Sequence, residues 1–154
     1  RQIDHPMPTV PPPEQVEVAR RAKGVAWLDR YEMRGIDGGL PAVWDGSGEH
    51  SRSLLWMRDT PARALDFLSL TSFADLFIPR VWVRRANRVP VGTVSMTVYF
   101  HVGPAELSAA GSDYVLGQAQ AQAFHDGFFD QHGQIWSRAG HLLVTTHQIV
   151  YYKE

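Results

Sequence analysis

The stretch from Thr60 to Pro79, TPARALDFLSLTSFADLFIP, leaves this chain few folds to choose from. Thr60 is a fitting N-cap and Pro61 suits the first helical position. Pro79 pushes Ile78 out of the helical region, so both ends of a single helix are marked. Between Asp66 and Arg80 the one charged residue is Asp75, while Phe67, Leu68, Leu70, Phe73, Leu76, Phe77 and Ile78 occupy every side. A helix that is apolar all round has to be wrapped by other structure. Inside it, Asp75 carries a desolvation cost and sits in the last turn, where the helix dipole disfavours negative charge. Two readings stay open for it at this point. Its side chain is either exposed on a seam or satisfied by a neighbour for packing alone, or it is a carboxylate kept for chemistry.

A chain of 154 residues is the size of one domain and can bury a real core. Its formal net charge of -1 argues against a nucleic acid or an anionic membrane as the main partner. The sequence has no cysteine, which removes disulfides, thiolate metal sites and a cysteine nucleophile together and makes the cytoplasm the default address. No apolar run is long enough to span a bilayer. Five prolines among the first thirteen residues rule out regular structure there, so residues 1–16 read as a proline-rich lead or linker docked on its own domain or on a partner. The remainder, 17–154, is then one domain, expected to be the C-terminal part of a longer polypeptide.

Along the chain, residues 14–23 suit a short helix stopped by Gly24, residues 27–36 a strand, and residues 51–58 a second strand leading into the central helix. After the helix come Arg80, Arg84, Arg85 and Arg88, which are either solvated cations complementing the helix exit or a phosphate site. Residues 91–102 alternate Thr93, Ser95, Thr97 and Tyr99 with Val94, Met96, Val98 and Phe100, which predicts a long strand with a polar face. Residues 114–125 alternate glutamines with Ala119, Ala121 and Ala123, so that strand has a small face against which something bulky can lie. Residues 128–137 and 142–153 complete the set around a turn at Gly140, and Gln148 shares a face with Val144, Thr146 and Val150. One helix preceded by short strands and followed by long antiparallel ones is an α+β arrangement, a curved antiparallel sheet wrapped around a central helix: the hotdog fold. Such a sheet keeps an open edge, so the chain is expected to be one half of a double hotdog.

Several catalytic outfits are missing from the sequence. There is no G-x-S-x-G elbow, no H-E-x-x-H helix and no glycine-rich phosphate loop, and none of the seven histidines falls on the central helix. The segments SRSLLWMR, FADLFIPR, VGTVSMTVYFH, FHDGFFDQ and GHLLVTTHQIVYYK together resemble the acyl-CoA thioesterase II (TesB-like) family, specifically the second of its two hotdog domains. The resemblance covers residues 17–154, and the proline-rich lead matches the inter-domain linker. It implies a hydrolytic water held by an Asp, a Thr and a Gln. Carried over by motif, these are Asp75 ahead of the F-x-P step, Thr93 eight residues before His101, and Gln148 eight residues after Gly140.

The resulting expectation is a thioesterase that hydrolyses fatty acyl-CoA without metal or organic cofactor. A carboxylate takes a proton from water while a hydroxyl and an amide orient it, and a thiolate leaves without a strong acid. The partners expected are the acyl-CoA substrate and a second hotdog unit, either the N-terminal half of the same protein or another subunit of a homo-oligomer. The arginine group Arg80, Arg84, Arg85 and Arg88 would receive the CoA phosphates. The competing expectation is a non-catalytic hotdog that binds acyl-CoA or lipid, or serves only in assembly.

Overall fold

The central helix starts later and ends earlier than its flanking prolines predict. In the computed structural model, which describes residues 2–19 and 25–154, it spans Phe67–Ala74 (α1). Thr60 and Pro61 precede it in non-helical backbone. The start is set by Asp66, whose carboxylate accepts the Ser69 N–H at 2.7 Å while the Ser69 hydroxyl takes the Asp66 N–H at 2.9 Å. This reciprocal cap satisfies two donors that a cap at Thr60 would leave to water. At the other end the last turn tightens, with the amides of Asp75 and Leu76 bonding back to Ser72 and Phe73. Asp75 is therefore the C-cap, at φ -105 and ψ 6, not an interior residue, and its side chain is exposed.

Around α1 runs a single antiparallel sheet. Its strands are β1 (Tyr31–Asp37), β2 (Ser53–Asp59), β3 (Val91–Phe100), β4 (Val115–Gln120), β5 (Phe124–His125), β6 (Phe128–Ser137) and β7 (Leu142–Tyr152). They lie in the order β1-β2-β4-β6-β7-β3, with β5 paired to β6, which confirms the α+β hotdog architecture. Leu70, Phe73 and Ala74 of α1 are fully buried against Met57, Val115, Ala119, Ile135 and Val144. Side chains such as Leu70 and Phe73, buried completely, contribute roughly 1.5–3 kcal/mol each. The opposite side of α1 is bare in this chain, since Leu68 is 77% exposed and Phe67 38%. The all-round wrapping predicted for the helix is only half present.

Small residues on the inner face of the sheet do admit something bulky, and it is the segment leaving α1. Phe77 lies on Gly117 and Gly133 of neighbouring strands; a Cβ on Gly117 would stand 2.4 Å from the Met57 methyl and 2.9 Å from the Phe77 ring. The strand predicted over residues 114–125 is interrupted after Gln120. There Asp130 accepts the amides of Gln122 and Ala123 and turns the chain into β5. A second helix, Pro104–Ala110 (α2), follows β3, with the Glu106 carboxylate accepting the Gly103 N–H at 2.9 Å. No helix among the described residues is long and apolar enough to cross a membrane.

The proline-rich lead docks on the outer face of its own sheet. Met7, Val10 and Val16 pack on Leu54, Trp56, Leu116 and Trp136, and the Trp56 indole donates to the Pro11 carbonyl at 2.9 Å. The helix predicted over residues 14–23 is not found over its described part. A 3-10 turn at Pro13–Gln15 gives way to extended backbone at Val16, because Arg34 draws the Pro13 and Val16 carbonyls toward β1 and the Ala19 amide bonds Met33. The rest of that stretch lies outside the described residues. Residues 27–30, expected to open a strand, belong instead to a 3-10 turn, Ala26–Arg30, before β1.

Beside the lead, Glu32 accepts from the Tyr114 hydroxyl, Arg58 and Arg34. Burial alone would raise the Glu32 carboxyl, but these three donors outweigh it and hold it at about 2, below the ordinary 4.5. A depressed folded-state value means stability fully present above pH 4.5 and lost as pH falls toward 2. Glu32→Gln is therefore expected to lower stability at pH 7 by about 1–2 kcal/mol, and to flatten the loss between pH 4.5 and 2. Urea midpoints of both proteins at pH 7 and pH 3 check this; equal differences at the two pH values would show that Glu32 is not the titrating group.

Candidate active site

Gln148 reaches the site because β7 alternates strictly. Val144, Thr146, Gln148 and Val150 point inward and are buried, as the sequence pattern predicts, while His147 and Tyr151 face out. The Gln148 amide donates to Asp75 Oδ1 at 2.9 Å and lies 3.2 Å from the Met96 sulfur. This bond joins residues 73 apart in sequence. Asp75 comes to it by standing where α1 has just ended, so that the carboxylate projects from the helix exit toward β7. Among the described residues its only hydrogen bond is the one from Gln148. Its second carboxylate oxygen makes no hydrogen bond to a described residue.

Thr93 arrives by a different route. Simple alternation along β3 puts it with Ser95, Thr97 and Tyr99, on the face opposite Met96. The structure corrects this, because a β-bulge lies between Thr93 and Ser95: Thr93 stands opposite Val150, Ser95 opposite Ile149 and Met96 opposite Gln148. Val94 is the extra residue and is 61% exposed. One inserted residue reverses the faces on either side of it, so Thr93 joins Met96 on the inner side.

Asp75, Thr93 and Gln148 line one cavity of about 770 Å³. The helix-exit residues Leu76 and Ile78 and the apolar side chains Trp27, Tyr31, Met33 and Leu40 also line it. Gln131, which the motif comparison did not single out, belongs to the same wall. It is 3% exposed and pairs directly with Gln148 across β6 and β7. Its signal in the sequence is period-two placement between Phe129 and Gly133, both of which face inward. Among the described residues no group of acidic or histidine side chains could hold a metal ion.

The four arginines separate. Arg80 is fully buried and donates to the carbonyls of Ile78 and Ser51, at 2.8 Å for the latter, and to the Ser53 hydroxyl at 2.7 Å. Burial pushes its guanidinium down to about 9, which leaves it charged at neutral pH. The expectation that it meets a phosphate is corrected, since its donors are spent inside the protein. Arg84 donates to the Gly48 carbonyl at 2.5 Å, and Arg85 pairs with Glu154 at 2.6 Å. Arg88 alone of the four lines the cavity.

A curved antiparallel sheet wrapped about a central helix defines a hotdog protein. The sequence profile of the acyl-CoA thioesterase C-terminal domain matches residues 5–152, and the chain belongs to that family. No curated protein matches it. Among solved structures, the chain is similar to a conserved hotdog-fold protein of unknown function from Alicyclobacillus acidocaldarius, at 39% identity and a TM-score of 0.92, covering 100% of this chain and 57% of that one. It also resembles in fold a putative thioesterase II from Thermobifida fusca, at 17% identity and a TM-score of 0.76, covering 100% and 56%. The tesB protein of Mycobacterium avium subspecies paratuberculosis aligns at 21% identity and a TM-score of 0.72, with the same coverage of 100% and 56%. The chain thus spans a little over half the length of these structures.

Proposed function

We propose that this chain carries the hydrolytic site of an acyl-CoA thioesterase, with a water held by Asp75, Thr93 and Gln148. The observation that supports it most is the Gln148–Asp75 hydrogen bond inside a cavity that Thr93 also lines. Asp75 takes a proton from the water as its oxygen bonds to the thioester carbonyl carbon, and Thr93 and Gln148 orient that water. The tetrahedral adduct collapses with cleavage of the carbon–sulfur bond. The acid remains, and the thiolate, with a pKa of about 8.5 for a simple thiol, leaves unassisted. The apolar lining residues Trp27, Tyr31, Met33 and Leu40 take the fatty acyl chain. The proposed address is the cytoplasm. Free-thiol release measured over acyl-CoA substrates of several chain lengths tests this reading. Release with none of them, alongside binding of CoA, supports the non-catalytic binding module.

The working form pairs this domain with a second hotdog unit, from the same polypeptide or from another copy. The bare side of α1 supports this, since exposed Leu68 and Phe67 continue into Phe100 of β3, the strand with an open edge. Phe67 and Phe100 already meet edge to face, at 5.0 Å between ring centres. Light scattering on this 154-residue piece is expected to give the mass of a pair or a larger assembly. A stable monomer with full turnover would refute the pairing.

A further inference from the structure

Arg88 stands at the cavity in a setting unlike that of the other three arginines. Its guanidinium lies 5.4 Å from the centre of the Trp44 ring and 5.6 Å from that of Trp82. The two indoles meet edge to face at 6.5 Å, and the Trp82 N–H is fixed by the Val89 carbonyl at 2.8 Å. The charged group is thus held over two aromatic faces. Among the described residues it makes no hydrogen bond and no ion pair, although the side chain is exposed and five N–H donors are available. Stacking of this kind fixes the plane of a guanidinium while leaving its edge free, and that edge matches the oxygens of a phosphate two at a time.

The charges of the cavity wall sharpen the contrast. Among the described residues, the charged side chains that line it are Glu17, Asp37, Asp75 and Arg88. Trp82, half-buried, lines the cavity beside Arg88.

We infer that Arg88, seated on Trp44 and Trp82, is the phosphate anchor of the site and makes it selective for thioesters of a phosphorylated carrier over those of the phosphate-free pantetheine thiol. This rests on the thioesterase reading proposed above, and narrows the four-arginine expectation to one residue with a built seat.

The test compares acyl-CoA with the acyl-pantetheine thioester of the same chain length, on the native protein, on Arg88→Gln and on Arg88→Lys. For Arg88→Gln the KM for acyl-CoA is expected to rise about tenfold with kcat nearly constant. The ratio of kcat/KM between the two thioesters then falls by about the same factor. Arg88→Lys should lie between, since the charge remains and the fork is lost. Raising the salt concentration should shrink the difference between native protein and Arg88→Gln, because exposed cation–phosphate attraction is screened. An unchanged ratio, or equal losses on both thioesters, would overturn the assignment. Calorimetric titration with CoA itself keeps the two readings apart. If the native protein hydrolyses neither thioester, the thioesterase reading fails, yet a tenfold weaker CoA affinity in Arg88→Gln still supports the anchor. Native protein that binds no CoA, or binds it as well after the substitution, removes it.

Discussion

Asp75→Asn is expected to lower kcat for acyl-CoA by about 10² to 10⁴ while KM moves little, the signature of lost general-base assistance. The substitution is clean because asparagine keeps an oxygen where Asp75 Oδ1 accepts the Gln148 amide, so the hydrogen bond at 2.9 Å has a replacement. What disappears is the charge and the capacity to take a proton. Asp75 is exposed at the C-cap, so stability should change by less than about 1 kcal/mol, and any change should be a gain from relieving negative charge at the helix C-terminus. A purely structural Asp75 predicts turnover retained per folded molecule. Melting temperature and turnover measured on the same preparation decide between these outcomes. Thr93→Val and Gln148→Ala should also lower turnover, with smaller losses when each is combined with Asp75→Asn than alone, because all three act on one water.

Arg80→Met is expected to produce the largest loss of stability, about 3 kcal/mol. Methionine fills much of the space but abandons the buried acceptors at Ser51, Ser53 and Ile78. For a domain of this size that corresponds to a drop of about 6–12 °C in Tm. Turnover at a temperature where the variant remains folded should fall as well, because Arg80 ties the helix exit to β2 and Asp75 stands on that exit five residues earlier. Thermal unfolding followed by circular dichroism supplies the first number. A raised KM with Tm unchanged would instead return Arg80 to substrate binding.

What could be seen in the sequence followed from periodicity, and what could not followed from local events that break it. Gln148 was legible because β7 alternates without interruption from Val144 to Val150. The face of Thr93 was not, since nothing in VGTVSMTV marks Val94 as the residue the ladder leaves out. Prolines at 61 and 79 marked the outer limits of the helical stretch, but the Asp66–Ser69 cap placed the actual start, and the tightened last turn put Asp75 at the end. That difference matters for chemistry, because the interior position implied a desolvated carboxylate and the C-cap gives an exposed one held by an amide. Arg80 and Arg88 are the same residue type eight positions apart. Only packing distinguishes the one spent on buried carbonyls from the one resting on two indoles.

The bond from Gln148 to Asp75 also has a bearing on how the candidate site is assembled. Its partners are separated by 73 residues, and Thr93 faces Val150 only once β3, an outermost strand, has paired with β7. Contacts between such distant segments form late, after the entropy of closing long loops has been overcome. Nascent chains and fragments lacking the last strand therefore hold no assembled site, however much helix and hairpin they contain. On the proposed reading, the hydrolytic site is complete only once β3 has paired with β7.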